Sequence, residues 1–190
     1  MIRPTFEEED YKGIDYSKKV LEKAEYDNCV FSNCTFIGAD LSEVIFSECT
    51  FVNCNMSTSK LHLTAFRNVE FKACKLLGLQ FDECHEFLFS VSFTECHLNL
   101  SSFFQRKLKK TWFIDCQMYE VDFSETDLSQ SSFKNCDLNG AIFDHTNLSK
   151  VDFTSATNYT INPDSNVIKG AKFSMDGLPG LLTKYDIEVV

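Results

Sequence analysis

The chain has 190 residues, of which 44% are hydrophobic and 24% are charged, a composition typical of one globular domain with a substantial core. Its formal net charge of −10 would be repelled by nucleic acid phosphates and anionic lipid, so basic or neutral protein surfaces are the expected partners. Because the start lacks an apolar leader and no apolar run approaches the ~18 residues of a membrane helix, we predict a cytoplasmic protein with nine reduced cysteines.

A large apolar or aromatic residue recurs every five residues from Phe6 to Phe81, and again from Leu88 to Phe153 after a shift of two residues. Sixteen of these positions precede the shift and fourteen follow it, and all thirty are apolar or aromatic. The position two residues before each is usually small, and all nine cysteines occupy it. A period of five fits neither a helix nor a flat strand, and it indicates a solenoid coil whose sides each take five residues.

Two columns of residues indicate that four such sides make one coil of twenty residues. Six cysteines follow one another at steps of twenty, with one step of twenty-two across the shift: Cys34, Cys54, Cys74, Cys96, Cys116 and Cys136. Eight phenylalanines show the same steps: Phe31, Phe51, Phe71, Phe93, Phe113, Phe133, Phe153 and Phe173. The sequence therefore predicts an all-β, four-sided solenoid in which both columns point inward.

The cysteines are interpreted as small apolar core residues stacked one per coil. Zinc sites usually contain cysteine pairs separated by two to four residues, whereas every gap here is a multiple of five apart from the shift. Coils about 4.8 Å apart place stacked Cβ atoms slightly too far apart for a relaxed disulfide. We therefore expect no disulfide, no metal and no other cofactor.

The whole chain, residues 1–190, is predicted to form one domain without a linker. Residues 1–23 are expected to be an irregular cap or a partial first coil, because terminal repeats of solenoids are usually atypical. Residues 24–153 are expected to be regular coils, with one bulge at 82–88 where the period shifts.

Residues 154–190 are predicted to cap the solenoid and to form a dimer interface. A loop-like coil is expected at 154–172, where Asn162-Pro163 signals a turn, followed by a short helix at 175–185 and a final strand in "DIEVV". This tail carries more apolar side chains than a cap needs, so it is expected to join two chains about a two-fold axis through Leu178, Leu181, Leu182, Tyr185, Ile187 and Val189.

A basic and aromatic segment lies at 106–112. Arg106 occupies a small inward position, and because burial of an unpaired guanidinium is costly, we predict that this side leaves the coil and projects. An exposed projection of this kind is suited to contact a protein partner. The partner-binding candidates are Arg106, Lys107, Lys109, Lys110 and Trp112, and the alternative interpretation is a solvated face.

Catalytic motifs are not found in the sequence, so we predict a protein that is not an enzyme. None of the four histidines repeats at a step of twenty, and His85 lies in the predicted bulge. An enzyme built around His85 is the weakest hypothesis. The acidic pair Asp82-Glu83 is interpreted as a solvated corner.

Several repeats resemble the A-(D/N)-L-x-x consensus of the pentapeptide-repeat family, namely Ala39-Asp40-Leu41, Thr126-Asp127-Leu128, Cys136-Asp137-Leu138, Thr146-Asn147-Leu148 and Val151-Asp152-Phe153. The resemblance covers residues 24–153 and implies a right-handed quadrilateral β-helix. The repeat by itself does not specify a function, because folds host many functions.

Two segments also resemble the Qnr and microcin-immunity branch of that family. Residues 101–113, "SSFFQRKLKKTWF", resemble a segment that projects as a loop between coils, and residues 158–190 resemble the C-terminal portion. This resemblance implies DNA gyrase and topoisomerase IV as partners, homodimers joined through their C-termini, partial mimicry of duplex DNA, and protection from quinolones or peptide toxins. The alternative is a structural or adaptor module with an unrelated protein partner.

Overall fold

The computed structural model describes residues 3–187 and consists mainly of short strands and turns. One α-helix, α1, spans Pro179–Leu182, and 3₁₀ turns span Phe81–Glu83 and Thr183–Tyr185. Within the described residues the strands are β1 (Thr5–Glu7), β2 (Asp10–Lys12), β3 (Glu25–Asp27), β4 (Val30–Ser32), β5 (Ile45–Ser47), β6 (Thr50–Val52), β7 (Ala65–Arg67), β8 (Val69–Lys72), β9 (Val91–Thr94), β10 (Trp112–Ile114), β11 (Ser132–Lys134), β12 (Asp152–Phe153) and β13 (Lys172–Phe173).

The strands pair in parallel with strands of the coils before and after, and they form two sheets on adjacent sides of the solenoid. One sheet has the order β1-β3-β5-β7, and the other has the order β2-β4-β6-β8-β9-β10-β11-β12-β13. Isolated parallel bridges join the coils on the other two sides. The register is twenty residues where Phe31 pairs with Phe51, and twenty-two where Phe71 pairs with Phe93. The predicted quadrilateral β-helix is confirmed.

The phenylalanine column lies inside the coil, as predicted. Phe51 and Phe71 are at most 1% exposed, and their ring centroids stack 5.1 Å apart. The stack continues across the insertion, with 5.3 Å between the rings of Phe71 and Phe93. Phe46, on the neighbouring side, meets Phe51 edge to face at 5.2 Å. Aromatic pairs of these two kinds each contribute ~0.5–1.5 kcal/mol beyond the burial of their area, so the column is a main source of stability.

All nine cysteines are buried free thiols, which confirms that they are core residues rather than a disulfide frame. The Cys54 thiol donates to the Phe31 carbonyl at 3.2 Å, and burial raises the pKa of the Cys49 thiol to about 12. Threonines at the same position make the same bond, as Thr126 does with the Phe103 carbonyl at 2.8 Å. A small side chain that can donate to the preceding coil therefore suits this position.

Most corners of the coil are formed by left-handed backbone two residues after a large inward residue. Glu48, Asn53 and Thr58 have φ values of 53°, 51° and 58°. This conformation costs a non-glycine residue about 1–2 kcal/mol, so it persists only where the coil around it is held in place. The five-residue period is thus the length of one side together with its corner.

Both ends of the chain continue the solenoid beyond residues 24–153. Residues 3–23 contain β1 and β2, which pair with β3 and β4, so this stretch forms a first coil. Residues 154–172, expected to be a loop-like coil, continue the solenoid into β13 through parallel bridges to the preceding coil. Asn-Pro signals a turn, but every corner of this solenoid is a turn, and the signal therefore does not exclude a coil.

A short helical segment follows the last coil. The structure places α1 and a 3₁₀ turn between Pro179 and Tyr185, within the helix predicted at 175–185. Asp186 and Ile187 lie in no strand, and the remainder of the predicted final strand is outside the described residues. No helix of residues 3–187 is long and apolar enough to span a bilayer.

Replacing Phe113 with alanine should lower the free energy of unfolding by ~3–5 kcal/mol, measured by guanidinium denaturation. Its ring is fully buried and stacks between Phe93 at 5.3 Å and Phe133 at 4.8 Å, so its loss leaves a cavity in the column. Phe104→Ala is the matched control, because Phe104 is 36% exposed, and it should cost less than ~1 kcal/mol. Equal losses from both variants would contradict the inward column.

Candidate functional site

Two extra residues enter one coil and form a bulge at the predicted position, 82–88. Regular parallel pairing resumes at Val91. Leu88, expected to point inward, is 61% exposed with a φ of 59°, and that prediction is wrong. Phe89 packs against the core instead, with its ring 6.4 Å from that of Phe66. The hydrogen-bonded register at Val91 fixes which residues before it can face inward, and this register places Phe89 there.

The bulge opens a groove of about 880 Å³ at one corner of the solenoid. Residues 82–89 form one wall, residues 105–107 of the next coil form the other, and Leu63 of the preceding coil completes it. We call this site the insertion groove. Its lining combines apolar side chains with charges of both signs: Asp82, Glu83, Glu86, Arg106 and Lys107.

Arg106 lies at the inner end of this groove and does not project into solvent. It is only 7% exposed, its Nη2 donates to the carbonyl of Asp82, and its guanidinium lies 5.7 Å from the ring centroid of Phe89. The coil around it is regular, since Leu108 is 1% exposed and Lys107 forms a parallel bridge to the next coil. The predicted projection of this segment is therefore wrong.

The insertion explains how a long cation fits where other coils have a small residue. Cys84 holds the position equivalent to Arg106 in the coil before, and in other coils the position is held by Thr64, Thr126 and Thr146, whose hydroxyls donate to a carbonyl of another coil. The extra residues widen the coil beside Arg106, so the guanidinium has room and reaches the Asp82 carbonyl. One of its nitrogens, Nη1, is buried without a partner among the described residues.

The other candidates of this segment form an exposed basic surface around one corner. Lys107, Lys109 and Lys110 are exposed, and none of them lies within 4.0 Å of a carboxylate of residues 3–187. Trp112, in β10 on the next side, is 60% exposed. We call these three lysines the lysine cluster. Their positive charge is therefore available to a partner, whereas Arg106 is not.

His85 is exposed in the bulge, where its Nδ1 accepts a hydrogen bond from the Phe87 N–H at 3.2 Å. Residues 3–187 contain no group of three His, Cys, Asp or Glu side chains with the geometry of a metal site. The hydrogen bond at His85 is a local turn contact within the bulge.

The residues predicted for the dimer interface fall into two groups, those that cover the last coil and those that are exposed. Leu181 packs against the core, and the Ile161 N–H donates to the Gly180 carbonyl at 3.0 Å, so this segment covers the last coil. Leu182 is half-buried. Leu178, Tyr185 and Ile187 are 37%, 57% and 56% exposed, and Val189 lies outside the described residues.

Sequence reasoning missed the contribution of Asp82 and Phe87 to the groove. Asp82 was interpreted as a solvated corner, yet its Oδ1 is buried without a partner, and Phe87 is 63% exposed. The available signal was the run "EFLF" at 86–89, in which three large apolar residues follow one another at the point where the five-residue period shifts.

Comparisons with known proteins agree on the fold. A family model described as the pentapeptide repeat region matches residues 24–103 and 85–162, whereas no curated protein sequence matches significantly. HetL, a pentapeptide repeat protein involved in heterocyst differentiation regulation from the cyanobacterium Nostoc sp. strain PCC 7120, has a TM-score of 0.58 at 14% identity, over 92% of this chain and 88% of that chain. A trypsin-treated form of QnrB1, a plasmid-mediated fluoroquinolone resistance protein, has a TM-score of 0.49 at 19% identity, over 98% and 100%. At 14% identity the likeness to HetL shows the fold alone.

Replacing Arg106 with alanine should lower the free energy of unfolding by ~1–3 kcal/mol, because the Asp82 carbonyl loses its donor and the buried side chain leaves a gap. Its exposed neighbour provides the control, and Lys107→Ala should change the stability by no more than ~0.5 kcal/mol. Guanidinium denaturation measures both. An Arg106→Ala variant as stable as the Lys107→Ala variant would indicate a side chain in solvent.

Proposed function

The chain belongs to the pentapeptide-repeat family, and we propose that it is a non-enzymatic, protein-binding β-helix that mimics part of duplex DNA when it binds DNA gyrase or topoisomerase IV. Bound to that enzyme, it protects the enzyme from quinolones or peptide toxins. The proposal places the protein in the cytoplasm, where nine free thiols remain reduced. The observation that carries it is a rod of stacked coils with acidic side chains on its surface.

The charges of the rod are almost all available to a partner. Arg106 is the only charged side chain that is buried among residues 3–187. Six carboxylates of the same residues lie within 4.0 Å of a cationic group or a histidine, whereas the whole chain has 28 Asp and Glu. Most carboxylates therefore contribute to a negative surface field that steers a basic protein surface toward the rod.

The magnitude of the charge limits how closely the rod can mimic DNA. Nine strands in the longer sheet, stacked at ~4.8 Å, give a length of about 40 Å. Duplex DNA carries roughly 24 charges over that length, whereas this chain has a net charge of −10. The rod therefore reproduces the shape and part of the field, and specific contacts supply the remaining affinity.

The lysine cluster is the proposed specific contact. Lys107, Lys109 and Lys110 form a compact positive surface on a rod that is otherwise acidic, and they lie near the exposed Trp112. Duplex DNA has no counterpart of such a surface, so these contacts would distinguish the protein from the nucleic acid at the same enzyme. The choice of enzyme comes from the resemblance of residues 158–190 to the topoisomerase-binding branch, because residues 101–113 do not form the projecting loop that their own resemblance implied.

An adaptor that binds an unrelated protein is the second candidate, and the insertion groove favours it. A mimic of a uniform rod needs no groove, whereas an adaptor needs a local surface that selects one partner. The adaptor retains the same fold and the same lack of catalytic groups, but it has no effect on a topoisomerase.

We also propose a homodimer joined through the C-terminal segment. Leu181 covers the last coil from within the chain, whereas Leu178, Tyr185 and Ile187 remain exposed beside it. Apolar side chains grouped at one end of a rod are typical of an interface, and a two-fold axis would place them against their own copies. Two rods joined end to end would double the length of the acidic surface.

Purified protein should change DNA supercoiling by gyrase, or restore it in the presence of a quinolone or a peptide toxin, at about micromolar concentration or below. Replacing Lys107, Lys109 and Lys110 with serine should alter this effect, because the proposed contact loses its charge. The matched control replaces Lys12, Lys134 and Lys172, which are also exposed and lie on another side, so the net charge changes equally.

The two triple variants distinguish specific contact from the general field. If both change the gyrase effect equally, net charge alone accounts for binding and the lysine cluster is not a contact. If the unaltered protein neither inhibits nor protects gyrase or topoisomerase IV from its own host, the gyrase proposal is wrong and the adaptor remains.

The unaltered protein should be a dimer by light scattering at micromolar concentration, and Leu178→Asp combined with Tyr185→Asp should produce monomers. Both side chains are exposed, so the double variant leaves the cover of the last coil intact, whereas a change at Leu181 would not. Ile37→Asp, on the wall of the solenoid and 47% exposed, is the control and should remain dimeric. A monomeric unaltered protein would refute the interface.

A further inference from the structure

One backbone hydrogen bond of the ladder that joins successive coils is missing in the insertion groove. We call this missing bond the open rung. Five residues before Lys107, the N–H of Ser102 donates across the insertion to the carbonyl of Leu79 at 2.9 Å. By the same count the N–H of Lys107 would donate to the carbonyl of Cys84, but neither group has a partner among residues 3–187. In the following coils the equivalent N–H groups all donate to the coil before them: Asp127, Asn147 and Val167.

The bulge is the cause of the open rung. His85 donates its N–H to the Thr64 carbonyl, and the chain then turns outward through Phe87 and Leu88. The chain beyond Cys84 therefore leaves the path that a regular side of the coil follows. A backbone donor and a backbone acceptor are left unpaired in the lining of one groove, and both residues belong to that lining. The unpaired N–H and carbonyl together resemble a short exposed edge of a sheet.

Two side-chain groups in the same groove are also unpaired. Arg106 Nη1 and Asp82 Oδ1 are both buried and have no hydrogen-bond partner among the described residues. Each unpaired buried group costs about 1–3 kcal/mol, so such groups are rare in the absence of a role. The groove thus contains two unpaired donors and two unpaired acceptors.

The rim of the groove is apolar. Phe87, Leu88 and Leu63 are 63%, 61% and 47% exposed, and all three line it. Phe87 and Leu88 lie on the bulge, and exposed apolar side chains grouped in this way are typical of a contact surface. A ligand that fits the groove must therefore cover apolar side chains as well as satisfy the polar groups within.

The charges that line the groove nearly cancel, because three carboxylates, Asp82, Glu83 and Glu86, lie with two cations, Arg106 and Lys107. The lining as a whole therefore attracts neither anions nor cations strongly. The unpaired atoms instead require a group that both donates and accepts hydrogen bonds, and a neutral group can do this. The amide of a polypeptide backbone is such a group, and an extended chain repeats it at every residue.

We propose that the insertion groove binds an extended, uncharged and apolar segment of a partner protein through its backbone. The segment pairs with the open rung between Cys84 and Lys107, as a strand pairs with an exposed sheet edge. Alternate side chains of the segment cover Phe87 and Leu88, and small shifts of Arg106 and Asp82 bring their unpaired atoms to the same backbone. The proposal rests on the protein-binding role proposed above and not on gyrase as the partner.

The test uses a capped random octapeptide library selected against the full-length protein, followed by fluorescence anisotropy with the strongest binder. The selected sequences should be neutral and rich in apolar β-branched or aromatic residues. Methylation of alternate backbone nitrogens of that peptide should weaken binding at least about tenfold, because it removes the donors that pair with the groove. A library that yields only acidic or basic binders, or no binder, would overturn the proposal, as would an unaffected methylated peptide.

Variants locate the peptide on the protein. Phe87→Ser combined with Leu88→Ser should weaken binding at least about tenfold, whereas Leu100→Ser combined with Ile142→Ser, at comparable exposure elsewhere, should change it less than about twofold. Arg106→Met retains a long apolar side chain and removes the guanidinium, and it should also weaken binding. Circular dichroism and thermal unfolding confirm that each variant is folded.

Equal binding by the Phe87/Leu88 double variant and its control would place the peptide elsewhere and overturn the proposal. The gyrase assay is independent of this result. If the peptide binds and gyrase is unaffected, the groove proposal is supported and the gyrase proposal is wrong. If gyrase is affected and no peptide binds, the gyrase proposal is supported and the groove proposal is wrong.

Discussion

The hydrogen bonds that run from coil to coil in parallel register are the constraint on which the rest of the structure depends. They hold every side chain above its counterpart in the coil before, as Phe51 lies above Phe31 with rings 4.9 Å apart. A position must therefore suit a stack of like residues, and flat aromatic rings or small thiols meet that requirement. The left-handed corners follow from the same constraint, because each side must close after five residues.

A structure built from one repeated register acquires a distinctive site only where the register changes. The two inserted residues keep the columns in phase, since Phe93 still stacks on Phe71, but they break one rung and expose the bulge. They also create the space that Arg106 occupies. The acidic surface of the rod supplies a negative electrostatic field along its whole length. The insertion supplies the apolar side chains and unpaired hydrogen-bonding groups of one groove. The two proposed kinds of recognition therefore arise from different parts of the molecule.

The fold was predictable because a large apolar residue recurs at thirty positions with a period of five. The site was not, because it depends on a single two-residue insertion. Phe and Cys columns follow from spacing alone. In "HEFLF" apolar residues occupy three adjacent positions, so spacing cannot decide between Leu88 and Phe89, and the register at Val91 decides instead. Arg106 was predicted to project because burial of a cation is costly, but the insertion some twenty residues earlier provides room that no local pattern reports.

The orientation of the ladder also determines how this rod responds to mechanical load. Its hydrogen bonds lie nearly parallel to the long axis, so a pull on the two ends would load the coils in series and detach them one after another rather than shear them together. Each detached coil would exchange ~4.8 Å of rod for ~66–72 Å of extended chain, because twenty residues span ~3.3–3.6 Å each. The missing hydrogen bond between Lys107 and Cys84 leaves fewer bonds to share that load at the insertion, so the bonds on either side of the bulge would each carry more of it.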